Sequence, residues 1–114
     1  MSEGNPLSKR LDAIATKAGV REKEVAVLVG TTPQTLHRWR SSSVAPQSAH
    51  LQRVLDLVYI ATELGEIYTP EEARIWLYER HRLLSGRRPS DLISNGEIDR
   101  VLDLIAQLKD GAYV

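Results

Sequence analysis

The chain of 114 residues contains no cysteine. A disulfide framework and a thiolate metal site are therefore both excluded. It carries no net charge, with fifteen Lys/Arg against fifteen Asp/Glu. That balance argues against a binder that holds nucleic acid by charge alone. No apolar run approaches the length of a membrane span, and no signal peptide precedes the first helical pattern, so a cytoplasmic protein is expected. No segment alternates apolar and polar residues as a strand would, which predicts an all-α fold. There is no glycine-rich phosphate loop, no supported Ser-His-Asp arrangement and no identifiable catalytic carboxylate pair. His37, His50 and His81 lack metal-ligand spacing. An enzyme is the least favoured class, and no cofactor or metal is expected.

What is present begins with the charge distribution. Residues 1–50 carry seven Lys/Arg against four acids, and residues 51–114 carry eight against eleven. The basic half contains Glu22 to Arg40, reading EKEVAVLVGTTPQTLHRWR. Val25, Val29, Leu36 and Trp39 supply apolar contacts between two short helices, and Ala26 is small where they would cross. Gly30 stops the first helix, because glycine accepts a left-handed turn without a Cβ penalty. Thr32 offers an N-cap hydroxyl, and Pro33 suits the first helical position. Gln34, Thr35, His37, Arg38 and Arg40 then crowd the polar face of the second helix. With Thr32 they are the residue types that bond phosphates and base edges.

This stretch resembles the Xre-type helix-turn-helix. Thr32-Pro33-Gln34-Thr35-Leu36-His37-Arg38-Trp39 stands where that family has a Ser-x-x-Thr-Ile-Ser-Arg-Trp line. Thr31 replaces a usually apolar residue, and His37 replaces a small polar one. The resemblance implies that the second helix reads DNA. Its alternative is a helical hairpin in which Trp39 serves only as core.

Helical spacing predicts a first helix from Pro6 to Ala18, ended by Gly19. A loop follows the helix-turn-helix at Ser41–Pro46. A long helix from Ser48 to Gly65 has two apolar stripes, Leu51, Val54, Leu55, Val58 and Leu57, Ile60, Ala61, Leu64. Such a helix should be buried on several sides and act as a spine. Thr69-Pro70-Glu71-Glu72 is a capping box with proline at the first position, opening a helix that carries Ala73, Ile75, Trp76 and Leu77. A basic loop spans His81 to Pro89. Ser90–Ile93 is a short helix closed by Asn95-Gly96. A last amphipathic helix runs from Glu97 to Lys109, capped by Gly111, with Glu97, Asp99, Asp103 and Asp110 mostly on its solvated face. The division expected is a helix-turn-helix lobe at 6–47, a spine at 48–66 and a second lobe at 67–114. Trp39 and Trp76 should both be core.

The second lobe is similar to the C-terminal domain of Xre/MbcA/ParS-type antitoxins. Trp76, Leu83 or Leu84, Gly86-Arg87-Arg88-Pro89, Asp91-Leu92, Gly96, Val101 and Gly111-Ala112-Tyr113-Val114 carry the resemblance. His81 departs from it, where relatives often have Asn. The resemblance implies a type II toxin–antitoxin pair. The partner would be a RES-domain toxin that degrades NAD, the antitoxin would cover its NAD pocket, and the helix-turn-helix would bind operator DNA to repress the operon.

Two surfaces could serve the toxin. Gly111, Ala112, Tyr113 and Val114 form an apolar end with a carboxylate, suited to a donor-rich pocket, or else they fold back on the last helix. Arg82, Arg87 and Arg88, with Arg80, could meet an acidic toxin patch or DNA phosphate, or else form a solvated loop paired with Glu79 and Asp91. One copy should hold DNA weakly, so homodimer contacts within the complex are expected. A stand-alone regulator whose second lobe only dimerises, and an adaptor that no longer binds DNA, are the other classes.

Overall fold

Proline opens four of the helices described, three of them after a capping side chain. In the computed structural model, which describes residues 5–41 and 44–111, the helices are α1 (Pro6–Ala18), α2 (Glu22–Val29), α3 (Pro33–Arg40), α4 (Ser48–Gly65), α5 (Pro70–Tyr78), α6 (Pro89–Ser94) and α7 (Ile98–Gly111). A 3₁₀ turn, Arg82–Leu84, lies between α5 and α6. Pro6, Pro33, Pro70 and Pro89 each open a helix, where the missing N–H removes no bond. Asn5 Oδ1 accepts from Ser8 N at 2.7 Å, and Thr32 Oγ1 accepts from Thr35 N at 3.2 Å. Thr69 forms the full capping box, its N–H donating to Glu72 Oε1 at 2.9 Å and its Oγ1 accepting from Glu72 N at 3.2 Å. The described residues contain no strand, and the chain is all-α.

The helix-turn-helix packs as its residues require. Val25, Ala26, Leu28 and Val29 of α2 are buried, as are Leu36 and Trp39 of α3. Gly30 ends α2 at φ 87°, and its N–H donates to Ala26 O at 3.0 Å. A Cβ there would lie 2.5 Å from Arg53 Nη1, so the position is constrained by conformation and by space.

The remaining helices do not build a separate centre. One cluster of buried side chains runs from Leu11 and Ile14 in α1 through α2–α6 to Val101, Leu104 and Ile105 in α7. The described residues of the three segments thus share a core. Polar ties cross the same divisions. Arg74 of α5 pairs with Glu24 of α2 through two bonds of 2.6 Å, and its Nη1 also donates to Gly19 O at 3.3 Å. Lys109 of α7 donates to Glu63 Oε1 of α4 at 2.6 Å and to Glu66.

The spine helix is buried on several sides, as its two apolar stripes predict, and packs against α1, α2, α5 and α7. Val54, Leu57, Ile60, Ala61 and Leu64 are buried, Leu51, Leu55 and Val58 are half-buried, and Tyr59 is 54% exposed. One expectation needs correction. Gly111 is not a cap beyond the last helix but its final described residue, and α7 begins at Ile98.

Two tests follow from this packing. Ala26→Leu should overpack the α2–α3 crossing by about 1–3 kcal/mol, and Gly30→Val should cost at least as much through strain and collision with Arg53. Thermal melts check both, and wild-type melting would show that the hairpin is not packed this way. The second test is in acid. The Arg74 guanidinium holds the Glu24 carboxyl well below its ordinary 4.5, at about 2. A lowered folded-state value stabilises the fold above the ordinary value and loses that contribution as pH falls through about 2. Glu24→Gln should therefore lower the urea midpoint at neutral pH, and its deficit should shrink below pH 4.5 and vanish near 2.

Candidate functional site

α3 is anchored from one side and open on the other. Leu36 and Trp39 point into the core, and the Trp39 ring lies 5.6 Å from that of His50. Asn5 Nδ2 donates to Trp39 O at 3.1 Å, tying the C-terminal turn of α3 to the start of α1. These contacts fix the helix and leave Gln34, His37 and Arg38 exposed together. Thr32 is exposed, and its Oγ1 serves as the cap and donates to Thr35 Oγ1 at 3.0 Å. Thr35 is half-buried. Four of the six residues expected on a DNA-reading surface, Thr32, Gln34, His37 and Arg38, therefore share an accessible face, with Thr35 at its edge.

Arg40 does not join them. Its Nε and Nη2 donate to the Glu22 carboxylate at 3.0 Å each. Its Nη1 donates to Asp12 Oδ1 at 2.8 Å and to Ser8 Oγ at 2.9 Å. These partners raise the guanidinium above its ordinary pKa, Glu22 contributing most. The last turn of α3 aims this side chain at α1 and α2, so Arg40 is a brace of the scaffold. Helical spacing placed it on the polar face, but the two carboxylates that capture it lie 18 and 28 residues away in sequence.

The second candidate surface is the basic turn. Arg87 makes a two-bond pair with Glu97, at 3.3 and 2.9 Å. Arg88 Nε donates to Tyr78 O at 3.0 Å, and its Nη1 lies 3.8 Å from Asp91. Arg82 is exposed. Of the acids expected to pair with this loop, Asp91 does so with Arg88. Glu97 was not anticipated, because it lies beyond α6. His81 sits against Trp76, with ring centroids 5.1 Å apart and its Nε2 2.8 Å from Trp76 O. Of the two leucines that could match the family position, Leu84 is buried and Leu83 is exposed. Gly111 closes α7. Ala112, Tyr113 and Val114 lie outside the described residues.

No family model matches the chain. Among curated proteins it is 34% identical over 110 residues to the mycobacterial cidal antitoxin MbcA of Mycobacterium tuberculosis, covering 96% of this chain and 97% of that one. The same extent of identity holds for MbcA of Mycobacterium bovis. The chain belongs to the MbcA antitoxin family. A second M. tuberculosis relative, the probable mycobacterial cidal antitoxin Rv3188, is 31% identical over 97 residues, or 84% of this chain and 82% of that one. Among solved structures the chain matches one in the crystal structure of the M. tuberculosis MbcT–MbcA toxin–antitoxin complex. The TM-score is 0.80 at 34% identity, over 96% of this chain and 99% of that one. Membership in this antitoxin family thus covers α1 through α7 together.

The two arginines of α3 should behave differently. Arg40→Ala strips Asp12 and Glu22 of their shared cation and should destabilise the fold by about 1–3 kcal/mol. Arg38→Ala, on the open face, should change the melt little. Equal melting of both variants and wild type would show that Arg40 is not a brace.

Proposed function

We propose that this antitoxin neutralises a RES-domain toxin that degrades NAD, using its C-terminal part to cover the toxin's NAD pocket. The observation that carries the reading is the match along nearly the whole chain to a chain of the MbcT–MbcA complex. The nature of the toxin and the blocked pocket are what the Xre/MbcA/ParS resemblance implies. Arg82, Arg87, Arg88 and the end from Gly111 to Val114 are the residues assigned to the toxin. A tyrosine such as Tyr113 supplies a buriable ring with a hydrogen-bonding tip, which suits a protein interface.

The open face of α3 is assigned to operator DNA through Thr32, Gln34, Thr35, His37 and Arg38. Amides and guanidinium groups bond base edges, and a hydroxyl at a helix start bonds phosphate. With no net charge, one copy holds DNA weakly, so two copies acting together are part of the reading. Tyr59, exposed on α4 one turn beyond the half-buried Leu55, offers apolar area for that pairing. The protein acts by binding, in the cytoplasm, with no cofactor and no membrane contact.

Growth rescue on co-expression with the toxin, NAD consumption by the purified pair and operator gel shifts test the reading together. Truncation after Asp110 should leave the melt nearly unchanged and let NAD loss resume in the complex. A lowered melt that accounts for any lost inhibition would mean the end packs on its own helix instead. Gln34→Ala and Arg38→Ala should each weaken operator binding by about 1–3 kcal/mol while neutralisation persists. Unchanged gel shifts in both variants would remove the DNA-reading role from this face.

A further inference from the structure

Leu83 is the most exposed of the large apolar side chains described, at 64%, beside the fully buried Leu84. A single exposed leucine ordinarily carries no meaning. Three features of its surroundings set this one apart.

The turn that carries it is closed by its own backbone. His81 N donates to Arg87 O at 3.1 Å, Gly86 N donates to His81 O at 2.9 Å, and Ser85 N donates to Arg82 O at 2.9 Å. The His81 ring fixes the base of the turn against Trp76. Leu83 is thus held in place before any partner arrives, which lowers the entropy cost of using it as a contact.

Ser85 has φ 59°, the one positive φ outside glycine among the described residues. A residue with a Cβ resists this conformation, and backbone of this kind concentrates at functional turns. Here it directs the chain back from Leu84 toward Arg87, which leaves Leu83 at the apex.

The third feature is charge. Arg80 Nη1 donates to Gly86 O at 3.1 Å, and Arg100 Nη2 donates to Leu83 O at 3.4 Å, so both cations are held at the turn. Arg82 adjoins Leu83 in the chain and is exposed. Against these stand Glu97, already paired with Arg87, and Asp103, which with Arg100 and Leu104 lines a shallow groove of about 160 Å³ beside Leu83. The turn that carries the leucine thus gathers Arg80, Arg82 and Arg100, with Asp103 the acid of the adjoining groove.

We infer that Leu83 is the apolar anchor of a protein-docking surface on the Arg82–Leu84 turn, fitted to a partner pocket that is apolar within and edged by carboxylates. Nucleic acid would use the arginines and leave the isobutyl group in water, whereas such a pocket uses both. The occupant is the toxin, so the inference rests on the neutralising role proposed above and adds to its arginines an apolar anchor between them.

The test is binding of the co-expressed, purified toxin to the full-length chain, to Leu83→Ala, to Leu83→Met and to Arg82→Ala, each with a thermal melt. Leu83→Ala should keep the wild-type melt and weaken binding by about 10- to 50-fold, equally at low and high salt, as removal of a buried anchor does. Leu83→Met, which conserves volume, should restore most of the affinity. Arg82→Ala should weaken binding at low salt and much less at high salt. Wild-type affinity in Leu83→Ala overturns the assignment while leaving the toxin-binding role standing. Loss of operator binding with toxin binding intact moves the turn to nucleic acid and also overturns it. A wild-type chain that does not bind the toxin removes the neutralising role and this surface with it.

Discussion

The guanidinium of Arg53 lies where the C-terminal ends of two helices converge. Its Nη1 donates to Val29 O, at the end of α2, at 3.3 Å and to Ser94 O, at the end of α6, at 3.1 Å. Both helix ends carry the partial negative charge of unsatisfied carbonyls, and one cation satisfies them together. Gly30 and Gly96, which follow these ends, come so close that a Cβ on either would meet Arg53 at 2.5 and 3.1 Å. The turn from α2 into α3 therefore rests on a side chain of α4 and on the end of α6. The orientation of the open α3 face and the placement of the short helix after the basic turn share this one support.

Electrostatics binds the rest of the scaffold in the same manner. Glu24 with Arg74, Arg40 with Asp12 and Glu22, and Lys109 with Glu63 and Glu66 each join helices distant in sequence. A net charge of zero thus conceals extensive internal pairing. Gln34, His37 and Arg38 on α3 and Arg82 with Leu83 on the turn stay exposed and are not among the residues these pairs consume. Tyr78 illustrates the joint between the two halves. The Arg74 guanidinium lies 5.2 Å from its ring centroid, and burial pushes its hydroxyl up to about 12.

Local signals were legible in the sequence because their causes are local. Pro33 and Pro70 with Thr32 and Thr69 mark helix starts by chemistry confined to four residues, and the bounds of α1 and α4 follow from spacing alone, although the cap at Asn5 was not read. The helix-turn-helix is legible for the same reason, since Ala26, Gly30, Leu36 and Trp39 each answer a steric demand of one crossing. What depends on distant partners was not. Periodicity places Arg40 on a polar face, and only the fold shows Asp12 and Glu22 waiting there. Leu83 and Leu84 are equivalent as letters, and the direction of the Arg82–Leu84 turn decides which one is core.

The single buried cluster has a consequence for the lifetime of the protein. Each of the seven helices among the described residues contributes to it, so neither half holds a complete apolar core after the chain is cut. A nick in the segment between α3 and α4, or between α4 and α5, leaves fragments whose apolar faces lose their covering, and each fragment becomes a substrate for further degradation. The open α3 face and the basic turn would disappear together rather than one surviving the other. A cell that destroys this protein with one cleavage removes both surfaces at the same moment, and no fragment persists to compete for the partners of the intact chain.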